Sequence, residues 1–146
     1  MKLFIASDHG GFELKNKLIE FIKSNFEHQI EDLGPYQLDP TDDYPIFATK
    51  LAKEILNNQG SIGILICKTG VGMSIVANRY NGIFAVLATT VEHAKRAREH
   101  ENANVICLDS EFISEDLNQE MVSTFLTTNF SNEERHLRRI DQINKI

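Results

Sequence analysis

The segment CKTGVGMS, residues 67–74, places the thiol of Cys67 between an apolar run and a glycine-rich turn. Because Gly70 and Gly72 can adopt positive φ, the turn can direct several backbone N–H groups inward, and the helix predicted from Met73 adds the positive end of its dipole. A thiolate is stabilised near a helix N-terminus, so Cys67 could act as a base or a nucleophile. The segment therefore combines a proton acceptor with donors that can hold an anion.

Less specific interpretations of the same segment stay open. The turn could merely connect a strand to a helix, and Cys67 could be a buried structural cysteine, as free cysteines usually are. Cys107 lies inside an apolar run and fits that second description. Nucleotide-binding signatures fit poorly, because no Lys-Ser or Lys-Thr follows Gly72 and Ile75 stands where a dinucleotide fingerprint requires its third glycine.

Two of the five histidines stand where an acid–base group would be useful. His9 follows Asp8 in a predicted loop, and His100 ends a predicted helix just before the last strand. A helix C-terminus favours the imidazolium, which makes His100 a candidate acid. Surface or capping roles are nevertheless more common for any single histidine, and His28 and His93 stand among charged residues that indicate solvated surfaces.

The C-terminal segment is dense in cations for an acidic protein. Arg135 and Arg139 are four residues apart, so on a helix both guanidinium groups lie on one face and could bind a phosphate bidentately. The alternative is a solvated helix with internal ion pairs such as Glu134 with Arg138. Both interpretations stay open from the residues alone.

Short apolar runs alternate with longer stretches of helical period, a pattern that favours a parallel α/β sheet. Predicted strands are residues 3–7, 29–33, 62–67, 83–88 and 104–108, and each is apolar enough for both of its faces to be covered. Two predicted helices have apolar faces made by Leu14, Leu18, Phe21 and Ile22 and by Phe47, Ala48, Leu51 and Ile55, and further helices are predicted at 73–80, 91–100, 114–127 and 133–144.

In open parallel sheets, ligands bind beyond the carboxyl ends of the strands. That edge receives Ser7–Gly11 after the first strand, the proline- and aspartate-rich loop Gly34–Pro45 after the second, Cys67–Ser74 after the third and the segment near Thr89 after the fourth. Polar and reactive residues concentrate in the first and third of these segments. We therefore predict that the functional site lies there, with the long loop as a candidate wall.

Composition limits the classes of function. The 146 residues, 42% apolar and 25% charged, predict one globular domain spanning residues 1–146. The net charge of −6 argues against partners such as nucleic acid or an anionic membrane surface. No run approaches the roughly 20 apolar residues of a membrane helix, and the apolar stretch at the N-terminus is too short for a signal peptide. We therefore expect a cytoplasmic protein with reduced thiols.

Five motifs together resemble one enzyme family. They are SDHGGFELK near the start, DYP at Asp43–Pro45, ICKTGVGMSIVANR in the middle, REHENANV at Arg98–Val105 and ERHLRRI at Glu134–Ile140. In this order, and over nearly the whole chain, they are similar to ribose-5-phosphate isomerase type B. Its relatives act on allose 6-phosphate and galactose 6-phosphate.

The resemblance implies a Rossmann-like three-layer α/β/α sandwich with a five-stranded parallel sheet. It also implies cofactor-free and metal-free isomerisation of ribose 5-phosphate and ribulose 5-phosphate through an enediolate, as in the pentose phosphate pathway. The sugar phosphate would bind in active sites shared between the subunits of a homodimer or a tetramer.

The residues that match the family's functional positions fall into five roles. Cys67 matches the base, Thr69 and His100 match residues that assist ring opening, Asp8, His9 and Tyr44 match residues beside the sugar, Arg135 and Arg139 match the phosphate ligands, and the amides of Gly70, Val71, Gly72, Met73 and Ser74 match those that hold the enediolate oxygen. The chemistry agrees with this pattern, because moving a proton next to a carbonyl requires a base and donors aimed at the developing oxyanion.

The chain departs from the family pattern at several positions. Lys68 stands where glycine is common, Glu101 where asparagine is common, and Glu111 where an arginine contacts phosphate. A six-carbon sugar phosphate (allose or galactose 6-phosphate) is therefore an alternative substrate. A non-catalytic sugar-phosphate-binding protein is a further alternative.

Overall fold

The computed structural model describes all residues, Met1–Ile146, and contains one five-stranded sheet of wholly parallel strands. The strands are β1 Lys2–Ser7, β2 Gln29–Asp32, β3 Ile62–Cys67, β4 Ala85–Leu87 and β5 Val105–Asp109, in the spatial order β2-β1-β3-β5-β4. The helices are α1 Phe12–Asn25, α2 Tyr44–Asn57, α3 Val71–Ala77, α4 Val91–Glu101, α5 Glu115–Thr127 and α6 Glu134–Ile143. The α/β class predicted from the alternating pattern is confirmed.

Apolar side chains cover both faces of the central strands and divide the core into two halves. On one face, β1, β3 and β5 pack against α1, α4 and α5. On the other face, the alternate residues of the same strands pack against α2 and α3. Since successive side chains of a strand point to opposite faces, a run such as IGILIC in β3 fills both halves. The result is the expected three-layer α/β/α arrangement.

The prediction that every strand is covered on both faces is wrong for β2. Its residues, QIED, alternate between exposed and half-buried, and the strand pairs only with β1. It lies at the edge of the sheet, where charged side chains oppose pairing with another chain. At the other edge, β4 is half-buried and only three residues long.

A buried lysine ties the long loop after β2 to the core. Lys15 of α1 has no exposed side-chain area and donates to Asp32 at 2.5 Å and to the carbonyl of Pro35 at 2.9 Å. Asp32 in turn accepts the amide of Gly34 at 2.9 Å. Because a buried ammonium is costly unless it is paired and hydrogen-bonded, these contacts fix where the loop leaves the sheet.

No helix combines the length and hydrophobicity that crossing a membrane would require. The longest helices, α1 and α2, have 14 residues each, whereas a spanning helix needs about 20.

Candidate active site

Cys67 is the last residue of β3, at the carboxyl edge of the sheet. Its Sγ accepts the N–H of Gly70 at 3.1 Å, and the residue is 5% exposed. Helix α3 begins at Val71, two residues earlier than the predicted Met73, because Gly70 turns the chain at φ +72°. A glycine takes that left-handed conformation without strain. The thiol therefore lies against the turn that the sequence singled out.

The second cysteine is a structural core residue, as its sequence context indicated. Cys107 is fully buried in β5 and belongs to the same apolar half of the core as Cys67. Burial raises the pKa of the Cys107 thiol, and proximity to Cys67 adds to that rise. Cys107 is thus held as a neutral thiol, and Cys67 is the cysteine that borders the glycine turn.

Backbone N–H groups of the glycine turn differ in what they bind. The amide of Gly70 donates to Cys67, and the amide of Ser74 donates to the carbonyl of Gly70 at 3.1 Å. The amides of Gly72 and Met73 have no acceptor within the chain. The amide of Val71 lies 3.4 Å from the hydroxyl of Thr69, a long contact that a better acceptor can replace. The turn therefore presents unsatisfied donors beside the sulfur.

Tyr44 closes one side of this turn. It is the first residue of α2, and its ring packs against Gly72, where a Cβ atom would be 2.7 Å from ring carbons. Only a glycine allows that approach. The structure therefore brings together Tyr44 and the turn, which are far apart in the sequence.

Asp8, His9 and Asp42 form a polar cluster beyond β1. Asp8 is buried and accepts the amide of Gly11 at 3.1 Å, and burial raises the pKa of its carboxyl group. His9 Nδ1 lies 2.7 Å from Asp42 Oδ1, and this hydrogen bond raises the pKa of His9. One polar side-chain atom from each of the three lies within 4.8 Å of the others. The ring nitrogen Nδ1 of His9 is engaged by Asp42 within this cluster.

Sequence reasoning did not single out Asp42. The only sequence feature that pointed to Asp42 was its position in the aspartate-rich loop after β2, a candidate wall of the site. The partner that defines its role is 33 residues away, so no local pattern could have indicated it.

Hydrogen bonds join the ends of β1, β3 and β5 around the site. The hydroxyl of Ser110 donates to the carbonyl of Gly10 at 2.7 Å and to that of Cys67 at 3.0 Å. The amide of Glu111 donates to the carbonyl of Lys68 at 3.1 Å. The stem of Lys68 lies over Gly10, where a Cβ atom would be 2.6 Å from Lys68 Cγ. Lys68 and Glu111 therefore both border the site.

His100 lies at the opposite end of the sheet from Cys67, where the strands begin. It is near the end of α4, just before β5 begins at Val105. Val105 pairs with Gly63 and Asp109 pairs with Cys67, so four residues of strand, about 13 Å, separate that edge from the sulfur. One chain does not bring Cys67 and His100 together.

The predicted phosphate ligands, Arg135 and Arg139, lie on α6, the helix that contacts His100. Its ring stacks on His136 of α6 with centroids 4.4 Å apart. His136 is buried, and its Nδ1 lies 2.7 Å from the hydroxyl of Ser131. Arg135 and Arg139 flank it on the exposed part of α6, and Arg135 pairs with Glu133 at 2.7 Å. The predicted site residues thus form two groups, at opposite edges of the sheet.

Substitution of Gly70 by alanine tests the turn. A Cβ atom there would lie 2.6 Å from a side-chain carbon of Leu87 and 3.0 Å from the carbonyl oxygen of Leu108, on a backbone at φ +72°. We expect Gly70→Ala to lower stability by about 1–2 kcal/mol and kcat by about tenfold to a hundredfold, because the donors beside Cys67 move. Thermal unfolding and steady-state kinetics measure both effects.

Gly60 provides a matched control. It has φ +79° and open space around its Cα, so Gly60→Ala introduces comparable backbone strain far from Cys67. A similar loss of stability with unchanged kcat is expected. Equal losses of kcat in the two variants would contradict a specific role for the turn.

A family model for the ribose/galactose isomerases matches residues 3–143, almost the whole chain. The chain belongs to the ribose/galactose isomerase family. The resemblance to ribose-5-phosphate isomerase type B that the five motifs indicated is thereby confirmed. A curated relative, the ribose-5-phosphate isomerase B of Mycobacterium leprae, is 38% identical over 143 residues, which cover 97% of this chain and 86% of the relative.

Solved structures of ribose/galactose isomerases match over the same extent. The crystal structure of ribose-5-phosphate isomerase B from Mycoplasma genitalium, with bound ribulose 5-phosphate, gives a TM-score of 0.94 at 43% identity, covering 99% of this chain and 94% of that chain. The enzyme from Thermotoga maritima gives a TM-score of 0.93 at 43% identity, covering 99% and 98%. The Rossmann-like fold expected of the family is therefore confirmed.

Proposed function

We propose that this protein is an aldose–ketose isomerase that interconverts ribose 5-phosphate and ribulose 5-phosphate, with Cys67 as the base and no cofactor. The observation that carries the proposal is the position of Cys67 Sγ, 3.1 Å from the amide of Gly70 and beside the unsatisfied amides of Gly72 and Met73. Relatives that match nearly the full chain carry the name ribose-5-phosphate isomerase B, which supports the choice of substrate.

The proposed reaction moves one proton between neighbouring carbons. The Cys67 thiolate takes the proton from C2 of the open-chain aldose, the C2–H electron pair forms a C1=C2 double bond, and the carbonyl oxygen on C1 becomes an oxyanion. The amides of the glycine turn donate to that oxyanion. The thiol then returns a proton to C1, and transfer of the O2 proton to O1 leaves the carbonyl at C2. No electron leaves the substrate, so no redox cofactor takes part.

The second group of site residues would come from another copy of the chain. His100, which is proposed to open the sugar ring with Thr69, and the phosphate-binding pair Arg135 and Arg139 lie at the edge of the sheet remote from Cys67. In a homodimer, each site would combine the thiol edge of one subunit with α4 and α6 of the other. A tetramer would be built from such dimers.

Exposed apolar side chains support contact between copies at the thiol edge. Tyr44 and Ile46 begin α2, and Val71 and Ile75 lie on α3. All four are exposed in the single chain. Large apolar groups next to one another on a surface indicate an interaction site.

A second candidate substrate is a six-carbon sugar phosphate. Glu111 borders the site through the bond of its amide to Lys68, and its side chain is exposed. A carboxylate there would repel a phosphate placed close to it but could accept a hydrogen bond from a sugar hydroxyl. That observation favours allose 6-phosphate or galactose 6-phosphate.

Isotope exchange and turnover decide between these functions. Purified protein is mixed with ribose 5-phosphate, allose 6-phosphate or galactose 6-phosphate in deuterated water, and ketose formation and loss of the C2 hydrogen are followed by NMR. The highest kcat/KM is expected with ribose 5-phosphate. No ketose from it at millimolar concentration would overturn the assignment, and binding without exchange on any sugar would indicate a non-catalytic protein.

A further inference from the structure

A single carboxylate oxygen of Asp42 holds both the backbone and the ring of His9. Asp42 Oδ1 accepts the His9 amide at 2.9 Å and lies 2.7 Å from His9 Nδ1. The bond crosses from the loop before α2 to the turn after β1. Two contacts to one atom fix the orientation of the imidazole ring and leave Nε2 as its free nitrogen.

Burial makes the Asp42 carboxylate costly unless other groups compensate its charge. The Asp42 side chain is 9% exposed, whereas its loop neighbours Asp39 and Asp43 are exposed. The second oxygen, Asp42 Oδ2, is buried and has no partner. A desolvated carboxylate is stable only when a cation or several donors compensate it, and His9 is the group that contacts it. The pair therefore favours the imidazolium form of His9.

Elements on both sides brace the loop that carries Asp42. Its start is tied to the core by the buried bond from Lys15 to Asp32. Its end runs directly into α2, where Tyr44 packs on the glycine turn. Asp42 is thus held on a fixed backbone between two anchored points.

We propose that Asp42 is a positioning residue that keeps His9 protonated and presents its Nε2–H to an oxygen atom of the substrate. This inference rests on the proposed function, because the substrate is taken to be a polyhydroxylated phosphate. His9 lies at the carboxyl edge of the sheet, its side chain is 32% exposed, and it lines an open cavity of about 490 Å³ with Phe12 and Leu38. Asp42 itself is covered and acts through the ring.

The other charged groups around His9 act in both directions on its protonation. Asp8 and Asp39 add negative potential. From α1, Glu13 and Lys17 line the same cavity and pair with each other at 3.1 Å. From the end of β3, Lys68 passes over the neighbouring Gly10 and opposes protonation.

The sign of the pH effect follows from these contacts. Asp42 is the largest cause of the raised pKa of His9, through the hydrogen bond to its ring. His9 therefore donates from Nε2 below that raised pKa, and the donor is lost as the pH rises through it. Removing the charge of Asp42 returns the pKa toward the ordinary value of about 6.5. Without that charge, the Nε2–H donor of His9 is lost above about pH 6.5. Between that pH and the raised pKa, the wild-type pair still supplies the donor.

NMR titration of the histidine rings tests the proposal without turnover. In the full-length protein, Asp42→Asn is expected to lower the His9 midpoint, and the control Asp39→Asn, on the same loop, should change it much less because Asp39 bonds Thr41 instead. Asp42→Glu keeps the charge and should keep a raised midpoint. An unchanged midpoint in Asp42→Asn would overturn the proposal, and so would equal drops in Asp42→Asn and Asp42→Glu.

Kinetics separate positioning from a merely structural role. Asp42→Asn should raise KM for ribose 5-phosphate about tenfold above pH 7 and change kcat less than about threefold, because a charged donor to bound substrate is lost. The same substitution in a His9→Gln background should have no further effect. Equal losses in both backgrounds would overturn the proposal. Failure of the wild-type protein to act on ribose 5-phosphate, with the titrations as expected, would overturn only the proposed function.

Discussion

Replacing Cys67 by alanine is expected to lower kcat by about 10²–10⁴-fold while the fold is retained. The sulfur lies beside unsatisfied amides at the end of β3, and the side chains that accept hydrogen bonds from the amides of the turn are those of Cys67 and Thr69. Loss of the proposed base is therefore expected to remove proton transfer and to leave the donors in place. Exchange of the C2 hydrogen in deuterated water is the direct measurement, because it reports the step itself.

Cys107 supplies the matched control for that experiment. Cys107→Ala is the same chemical change in the same half of the core, but it is one strand away from the turn. It is expected to lower stability by about 1 kcal/mol and to leave kcat unchanged. Substantial exchange in Cys67→Ala, within about tenfold of the wild type, would show that another group is the base.

Mixing two inactive variants is expected to restore activity. Cys67→Ala removes the proposed base at the carboxyl end of the strands, and His100→Ala removes the proposed ring-opening group at the opposite end of the sheet. If each site combines opposite edges of two subunits, co-refolding equal amounts gives half mixed dimers, each with one intact site. About a quarter of wild-type activity is then expected. Activity of each variant alone, and of the mixture after joint refolding, is measured per subunit.

The control for the mixing experiment uses two changes at one edge. Cys67→Ala mixed with Thr69→Ala should restore nothing, because both residues lie on the same side of the shared site. Absence of recovery with Cys67→Ala and His100→Ala would argue against sharing. Full activity of His100→Ala alone would remove that residue from the mechanism.

Features encoded locally in the chain could be predicted from its sequence. Short apolar runs separated by helical periods specify the parallel sheet, and the buried runs of β1, β3 and β5 fill both halves of the core. The glycines of CKTGVGMS predicted the turn at Cys67, because φ +72° at Gly70 is a local requirement. The limits of α3 were wrong at both ends. The helix begins two residues earlier than predicted, since the turn contributes its own residues to the first helical turn, and it ends at Ala77 rather than Tyr80.

Features that depend on long-range pairing could not be predicted in the same way. The exposure of β2 follows from its place at the sheet edge, which is a property of strand order. Asp42 meets His9 across 33 residues. The separation of His100 from Cys67 follows from the direction in which α4 returns across the sheet. Sequence similarity grouped these site residues, and only the topology shows that one chain keeps them apart.

The contrast between the two cysteines has a practical consequence. Burial holds Cys107 as a neutral thiol inside β5, and thiols react with electrophiles mainly as thiolates. A small alkylating reagent should therefore label one sulfur per folded chain. The mass added per chain would then count the competent sites in a preparation, and protection from labelling by a bound sugar phosphate would report occupancy of those sites.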